Sequence, residues 1–265
     1  MSSSINNQAI GIMDSGVGGI SVLKHIHALL PNEDLIYLAD SKYAPYGNKT
    51  PEDIIQRCLI LSDDLLRKNV KAIVVACNTA TAAAIDTLRE TFDIPIIGME
   101  PAVKPAAEAS KNGIIGVLAT VGTLKSAQFA ALLESYGRNV KVVTQACLGL
   151  VECIERGELD TPETKALIRQ YTAPLLAEDA DTIVLGCTHY PFIAHVIQEI
   201  VGDQIILIDT GAAVAKQLKR QLEEKGLLST SQEKAEVHFW TNSESENAEQ
   251  VTEKLWGNHV EEHRL

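Results

Sequence analysis

Short runs of Val, Ile and Leu recur along the chain, each closed by a small or polar residue and followed by a segment with apolar residues at 3–4 spacing. The runs predict eight strands, at 9–14 (AIGIMD), 34–39 (DLIYLA), 72–77 (AIVVAC), 94–98 (IPIIG), 113–119 (GIIGVLA), 140–145 (VKVVTQ), 182–187 (TIVLGC) and 204–209 (QIILID). Most are separated by helix-length stretches such as GISVLKHIHALL and TPEDIIQRCLILSDDLLRK. Pro51 and Pro162 each follow a Thr, as at the first turn of a helix, where the proline nitrogen has no hydrogen bond to lose. Continuous apolar strands alternating with helices predict parallel sheets covered on both faces.

The pattern is written twice. At an offset of 110 positions LLRKNVKAIVVACNT lies over LLAEDADTIVLGCTH, matching Leu65 with Leu175, Ile73 with Ile183, Val74 with Val184 and Cys77 with Cys187. TPE at 50–52 recurs at 161–163, and IGIMDS has a weaker echo in IGVLAT. The predicted fold is therefore α/β, in two similar lobes with mainly parallel sheets flanked by helices. The lobes are expected to be related by a pseudo-two-fold axis, with the active site in the cleft between them. The first lobe takes in 1–98 and 210–265, because the second, 99–209, already has its four strands. Ligands bind beyond the carboxyl ends of parallel strands, where Cys77 and Cys187 stand.

At 265 residues, 46% hydrophobic and 22% charged, the chain has the make-up of a globular protein with an ample core. A formal net charge of -12 argues against a nucleic-acid or anionic-membrane surface. An anionic ligand would need local amides and hydroxyls to hold it. No window approaches a membrane span, and MSSSINNQ reads as a frayed start without signal-peptide features. The five cysteines, Cys58, Cys77, Cys147, Cys153 and Cys187, form no C-x-x-C. That pattern fits reduced thiols in a cytoplasmic protein, and no metal site is expected.

Cys58, on an apolar helix, reads as a small core residue, and Cys147 and Cys153 less securely so. Cys77 and Cys187 differ as a repeat-matched pair followed by polar residues. His189, two positions after Cys187, could influence a thiol's protonation. The turn MDSGVGGIS fits neither a Rossmann fingerprint nor a P-loop. It leaves free amides near Asp14 at a helix entry, able to receive a carboxylate. The loop DSKYAPYGNKT lies at the same sheet edge, with Tyr46 as an aromatic wall. Two opposed thiols suit a racemase without a cofactor: one base removes a Cα proton, and an acid on the other face returns one. A thiol with a reference pKa of ~8.5 can play either part.

DSGVGG, APYG, ACNTAT, EPAVKPA and GCTHYP stand in the order found in glutamate racemase, of the cofactor-independent Asp/Glu racemase superfamily, which this chain resembles from about Ile10 to Trp256. The resemblance implies a cytoplasmic enzyme that interconverts L- and D-glutamate and supplies D-glutamate for peptidoglycan, with no cofactor. It implies Cys77 and Cys187 as paired acid/bases, assisted by Asp14 and His189. It further implies substrate contacts from Ser15, Tyr46, Gly47, Asn78, Thr79 and Thr188, with Thr120, Thr123 and Glu152 beside them. Where many members read CPxFVPLVE this chain has ACLGLVECIE, which leaves the loop before Glu152 divergent. Some members carry an N-terminal extension linked to activation by a cell-wall precursor; about nine residues precede the first strand here, so such activation is not expected. The expected partners are glutamate and a second copy in a homodimer, although spacing does not fix the oligomeric state. The rival readings are an aspartate racemase or related Cys-pair isomerase, and a non-catalytic amino-acid-binding module, which would need no second thiol.

Overall fold

The structure, a computed structural model, describes residues 6–265. The first stretch runs β1 (Ile10–Asp14), α1 (Ile20–Leu29), β2 (Leu35–Ala39), α2 (Pro51–Arg67), β3 (Ala72–Val75), α3 (Asn78–Thr91) and β4 (Ile96–Ile97). The second runs α4 (Val103–Ala109), β5 (Ile114–Ala119), α5 (Val121–Lys125), α6 (Ala127–Tyr136), β6 (Lys141–Ala146), α7 (Leu150–Glu155), α8 (Pro162–Ala177), β7 (Thr182–Gly186), α9 (Ala194–Val201) and β8 (Ile206–Ile208). The tail supplies α10 (Gly211–Glu224), β9 (Val237–Thr241), α11 (Ala248–Trp256) and β10 (Glu262–Arg264).

These strands build two separate, wholly parallel sheets. One has the order β10-β9-β2-β1-β3-β4 and the other β6-β5-β7-β8. Without β9 and β10 the first sheet reads β2-β1-β3-β4, the order of the second, so the sequence repeat is a repeat of topology. Every residue of β1, β2, β3 and β7 is buried, as both-face coverage by helices requires. Full burial of each Leu, Ile or Val in these strands is worth about 1.5–3 kcal/mol. Cys58 lies in the first lobe's core with Ile54, Leu61 and Leu65, as expected of an apolar-face thiol.

Both expected helix starts form. Pro51 and Pro162 occupy the first turns of α2 and α8, and the preceding Thr50 and Thr161 hydroxyls accept the amides of Asp53 and Thr164, each at 3.2 Å. All eight expected strands are present, some shorter than their apolar runs. The run at 72–77 gives a strand ending at Val75, and that at 182–187 one ending at Gly186. Cys77 and Cys187 thus stand just past the strands and not on them. The tail packs against the first stretch: β9 pairs with β2, and α10 packs on α1. Its two strands were not legible as such, since VHFWT is short and EHR has no apolar residue. Among the described residues no helix is long and apolar enough to cross a membrane.

Candidate active site

The first lobe brings its chemistry to the carboxyl ends of β1 and β3. Beyond β1 the chain turns sharply through Ser15–Gly19 into α1, and Asp14, the last strand residue, folds its carboxylate back over that turn. Asp14 Oδ2 accepts the amides of Gly16 (3.3 Å) and Gly19 (2.9 Å). Beyond β3, Cys77 keeps extended backbone and caps α3, its sulfur accepting the Ala80 amide at 3.4 Å. Ser15 Oγ lies 3.8 Å from Cys77 Sγ and 3.5 Å from Asp14 Oδ1. Burial pushes the Cys77 thiol well up, and the Asp14 charge adds to this. Burial likewise raises Asp14, with the Gly19 amide and His189 opposing. This side of the site favours neutral, protonated sulfur.

The second lobe makes the opposite arrangement beyond β7. Cys187 Sγ lies 3.7 Å from His189 Nδ1, and His189 Nε2 is 2.6 Å from Glu155 Oε1 at the end of α7. Burial alone would favour the neutral ring. The hydrogen bonds and charges of Cys187 and Glu155 outweigh it and raise His189 well above the ordinary imidazole value. His189 therefore leans toward its protonated form beside Cys187. Glu155 also crosses to the other lobe: its Oε1 accepts the Val17 amide at 2.8 Å and its Oε2 the Ser41 hydroxyl at 3.2 Å. Three amides of the Gly-rich turn, those of Gly16, Val17 and Gly19, are thus occupied by the chain's own carboxylates. Its glycines serve close approach between the lobes. A Cβ on Gly16 would sit 1.9 Å from Glu155 Oε1, and one on Gly18 2.2 Å from His189 Nδ1.

One cavity lies between these groups, lined from the first lobe by Ser15, Pro45, Tyr46, Gly47, Cys77, Asn78 and Thr79. The second lobe contributes Thr120, Val151, Cys187, Thr188 and His189. Its open volume is about 10 Å³, roughly one water molecule. Asn78 carries a buried amide whose Oδ1 and Nδ2 both lack partners among the described residues, a donor and an acceptor at the cavity wall. Thr79 Oγ1 reaches across the seam to Thr120 Oγ1 (2.8 Å) and Thr123 Oγ1 (3.1 Å).

Ten of the thirteen residues expected from the sequence line this cavity; Asp14, Thr123 and Glu152 do not. Asp14 stands behind Ser15, and Thr123 behind the threonine pair. Glu152 is displaced altogether. Its charge bears on Tyr171 and Tyr190, and the carboxylate that reaches His189 is Glu155, one helical turn later. The sequence signal was present, since ECIE offers two acids at i, i+3. The start of α7, set by Gly149 at φ +84°, decides which of them points at the cleft. Pro45 and Val151 are further lining residues that sequence reasoning passed over.

All five cysteines are free. The single cluster of metal-ligand type among the described residues, Cys153, Glu158 and Glu163, surrounds the guanidinium of Arg156, which is 2.6 Å from Glu158 and 3.6 Å from Cys153 Sγ. An ion pair uses those carboxylates.

A thiol from each of two like-ordered parallel sheets lines one small cavity, in a two-lobed α/β fold. The chain matches the family described as Asp/Glu/Hydantoin racemase over residues 10–218 and belongs to it. It is 52% identical to the glutamate racemase of Ectopseudomonas mendocina over 255 residues, covering 96% of this chain and 97% of that one. Among solved structures it resembles a glutamate racemase of Bacillus anthracis, with TM-score 0.89, 33% identity and 98% of each chain covered. It also resembles the glutamate racemase of Francisella tularensis in complex with D-glutamate, with TM-score 0.83, 31% identity, and 97% and 98% covered.

Proposed function

We propose that this protein interconverts L- and D-glutamate by a two-thiol mechanism without a cofactor, supplying D-glutamate for peptidoglycan in the cytoplasm. The observation that carries the reading is the pair of thiols at one cavity in unlike surroundings: Cys77 linked through Ser15 to Asp14, Cys187 3.7 Å from His189 Nδ1. The 52% identity to a glutamate racemase supports glutamate as the substrate.

In this scheme Cys187 enters as thiolate and Cys77 as thiol. With L-glutamate between them, Cys187 takes the Cα proton and forms an S–H bond. The electron pair left on Cα delocalises into the adjacent carboxylate. Cys77 then gives its own proton to the opposite face, leaving D-glutamate and a Cys77 thiolate. From D-glutamate the roles exchange. Glu155 holds the imidazolium in place, and Asp14 assists the Cys77 side through Ser15. Asn78, Thr79, Thr188 and the amides near Gly47 hold the carboxylates and amine. A homodimer is part of the proposal, tested by sedimentation at assay concentration.

The test is to incubate EDTA-treated, dialysed protein with L-glutamate in D₂O, following ellipticity and deuterium at Cα. Loss of optical activity, with solvent deuterium entering the newly formed enantiomer, is expected. No racemisation, or activity that returns only with an added cofactor, refutes the reading.

A further inference from the structure

The loop that carries Pro45, Tyr46 and Gly47 to the cavity has few backbone hydrogen bonds to the rest of the chain. It consists of two 3-10 turns, Ser41–Tyr43 and Tyr46–Asn48, bonded mainly within themselves through Tyr43 N to Asp40 O, Ala44 N to Ser41 O and Lys49 N to Tyr46 O. It also sits at the seam between the lobes. A Cβ on Gly47 would lie 2.7 Å from Thr120 Cβ in the other lobe.

One buried carboxylate behind this loop answers the need. Asp40, wholly buried, directly follows β2. Its Oδ2 accepts the Tyr46 phenol at 2.5 Å and Arg57 Nε at 2.9 Å; its Oδ1 accepts Arg57 Nη2 at 2.6 Å and Asn242 Nδ2 at 2.5 Å. Four donors exhaust a carboxylate's usual capacity. The two outside partners grip the loop again at other points. Arg57 comes from α2, and its guanidinium lies 3.9 Å over the Tyr43 ring. Asn242 Oδ1 accepts the Lys42 amide at 3.0 Å. Asn242 is delivered by the tail, since Ala39 of β2 pairs with Thr241 of β9 and the next residues are Asp40 and Asn242. Burial and the Asp40 charge push the Tyr46 phenol far up, so it stays a donor.

We propose that Asp40 is a positioning residue for the substrate pocket. With Arg57 and Asn242 it holds the Tyr46 phenol and so fixes the Ala44–Gly47 turn against which the amino acid binds. The phenol is committed to Asp40 and gives no proton to the cavity. This rests on the reading of the cavity as a glutamate site.

The test compares Tyr46→Phe, Asn242→Ala and their double variant with the wild type. Calorimetry gives Kd for D-glutamate, racemisation gives KM and kcat, and thermal melting checks the fold. Each single variant should raise Kd and KM roughly 10-fold, the scale of one lost bond to a charged acceptor, with kcat within about two-fold. The double variant should be little worse than either single one, because the two residues act through one carboxylate. Unchanged Kd and KM with a lowered melting temperature would reduce the cluster to a brace for stability, overturning the proposal. A fall in kcat with Kd intact would place the phenol in the chemistry and overturn it too. A wild type that binds glutamate but does not racemise it refutes the proposed activity while the Kd comparison still decides the role of Asp40. A wild type that binds no glutamate refutes both.

Discussion

Replacing Glu155 by Gln removes one charge and almost no volume from the His189 side of the site. The Gln carbonyl can still accept the Val17 amide or His189 Nε2–H, but it no longer attracts a cationic ring. Hydrogen bonds to charged groups contribute about 1.5–3 kcal/mol, and about 1.4 kcal/mol corresponds to one pKa unit. The variant should therefore lower His189 from its raised value. Loss of that charge-assisted bond, at about 1.5–3 kcal/mol, should lower kcat/KM roughly 10- to 100-fold. Enantiomers have equal free energy, so the loss must be the same from L- and from D-glutamate, an internal check on the assay. Polarimetric time courses from each enantiomer give the rates, and imidazole ¹⁵N shifts give the His189 titration. The linkage to stability has a defined sign. His189 binds its proton more tightly when folded, so its contribution is complete below the unfolded value of about 6.5 and is lost as pH rises through the raised folded value. In Glu155→Gln that loss should begin at lower pH, visible in urea melts. Wild-type rates together with an unshifted His189 titration would refute the role given to Glu155.

Gly18→Ala should cripple racemisation, because its Cβ would lie 2.2 Å from His189 Nδ1; overpacking of this kind costs about 1–3 kcal/mol, and a variant that keeps both its melting temperature and its rate would contradict the close-approach argument. Cys77→Ser and Cys187→Ser should each lose most racemisation but, given an analogue with a leaving group at Cβ, each should still eliminate from the enantiomer facing its surviving thiol. Keto-acid release with mirror-image preferences is the expected result, and equal processing of both enantiomers by one variant would sink the two-base scheme. Lys71→Met, far from the cleft, strands the buried Glu33 carboxylate, now 2.5 Å from Lys71 Nζ; a loss of about 3–5 kcal/mol in urea unfolding is expected, and a loss below about 1 kcal/mol would show the pair to be dispensable.

The alternation of apolar runs with helical periodicity determined the fold class, and an offset of 110 residues revealed that one unit is built twice. Both follow from local physics: strand and helix period are set by backbone geometry, and repeated sequence folds to repeated topology. The same logic brought Cys77 and Cys187 forward, since a parallel strand's carboxyl end is a site by construction. Tertiary structure decided what periodicity cannot express. Glu155 and Glu152 share a helix and a charge, and only the rotation of α7 selects the one that reaches His189. The glycines of DSGVGG look like turn residues in sequence, yet they carry no positive φ; Gly16 and Gly18 face a carboxylate and an imidazole 139 and 171 residues away. Asn242 meets Asp40 because β9 pairs with β2, a registration between segments about 200 residues apart that no local pattern encodes.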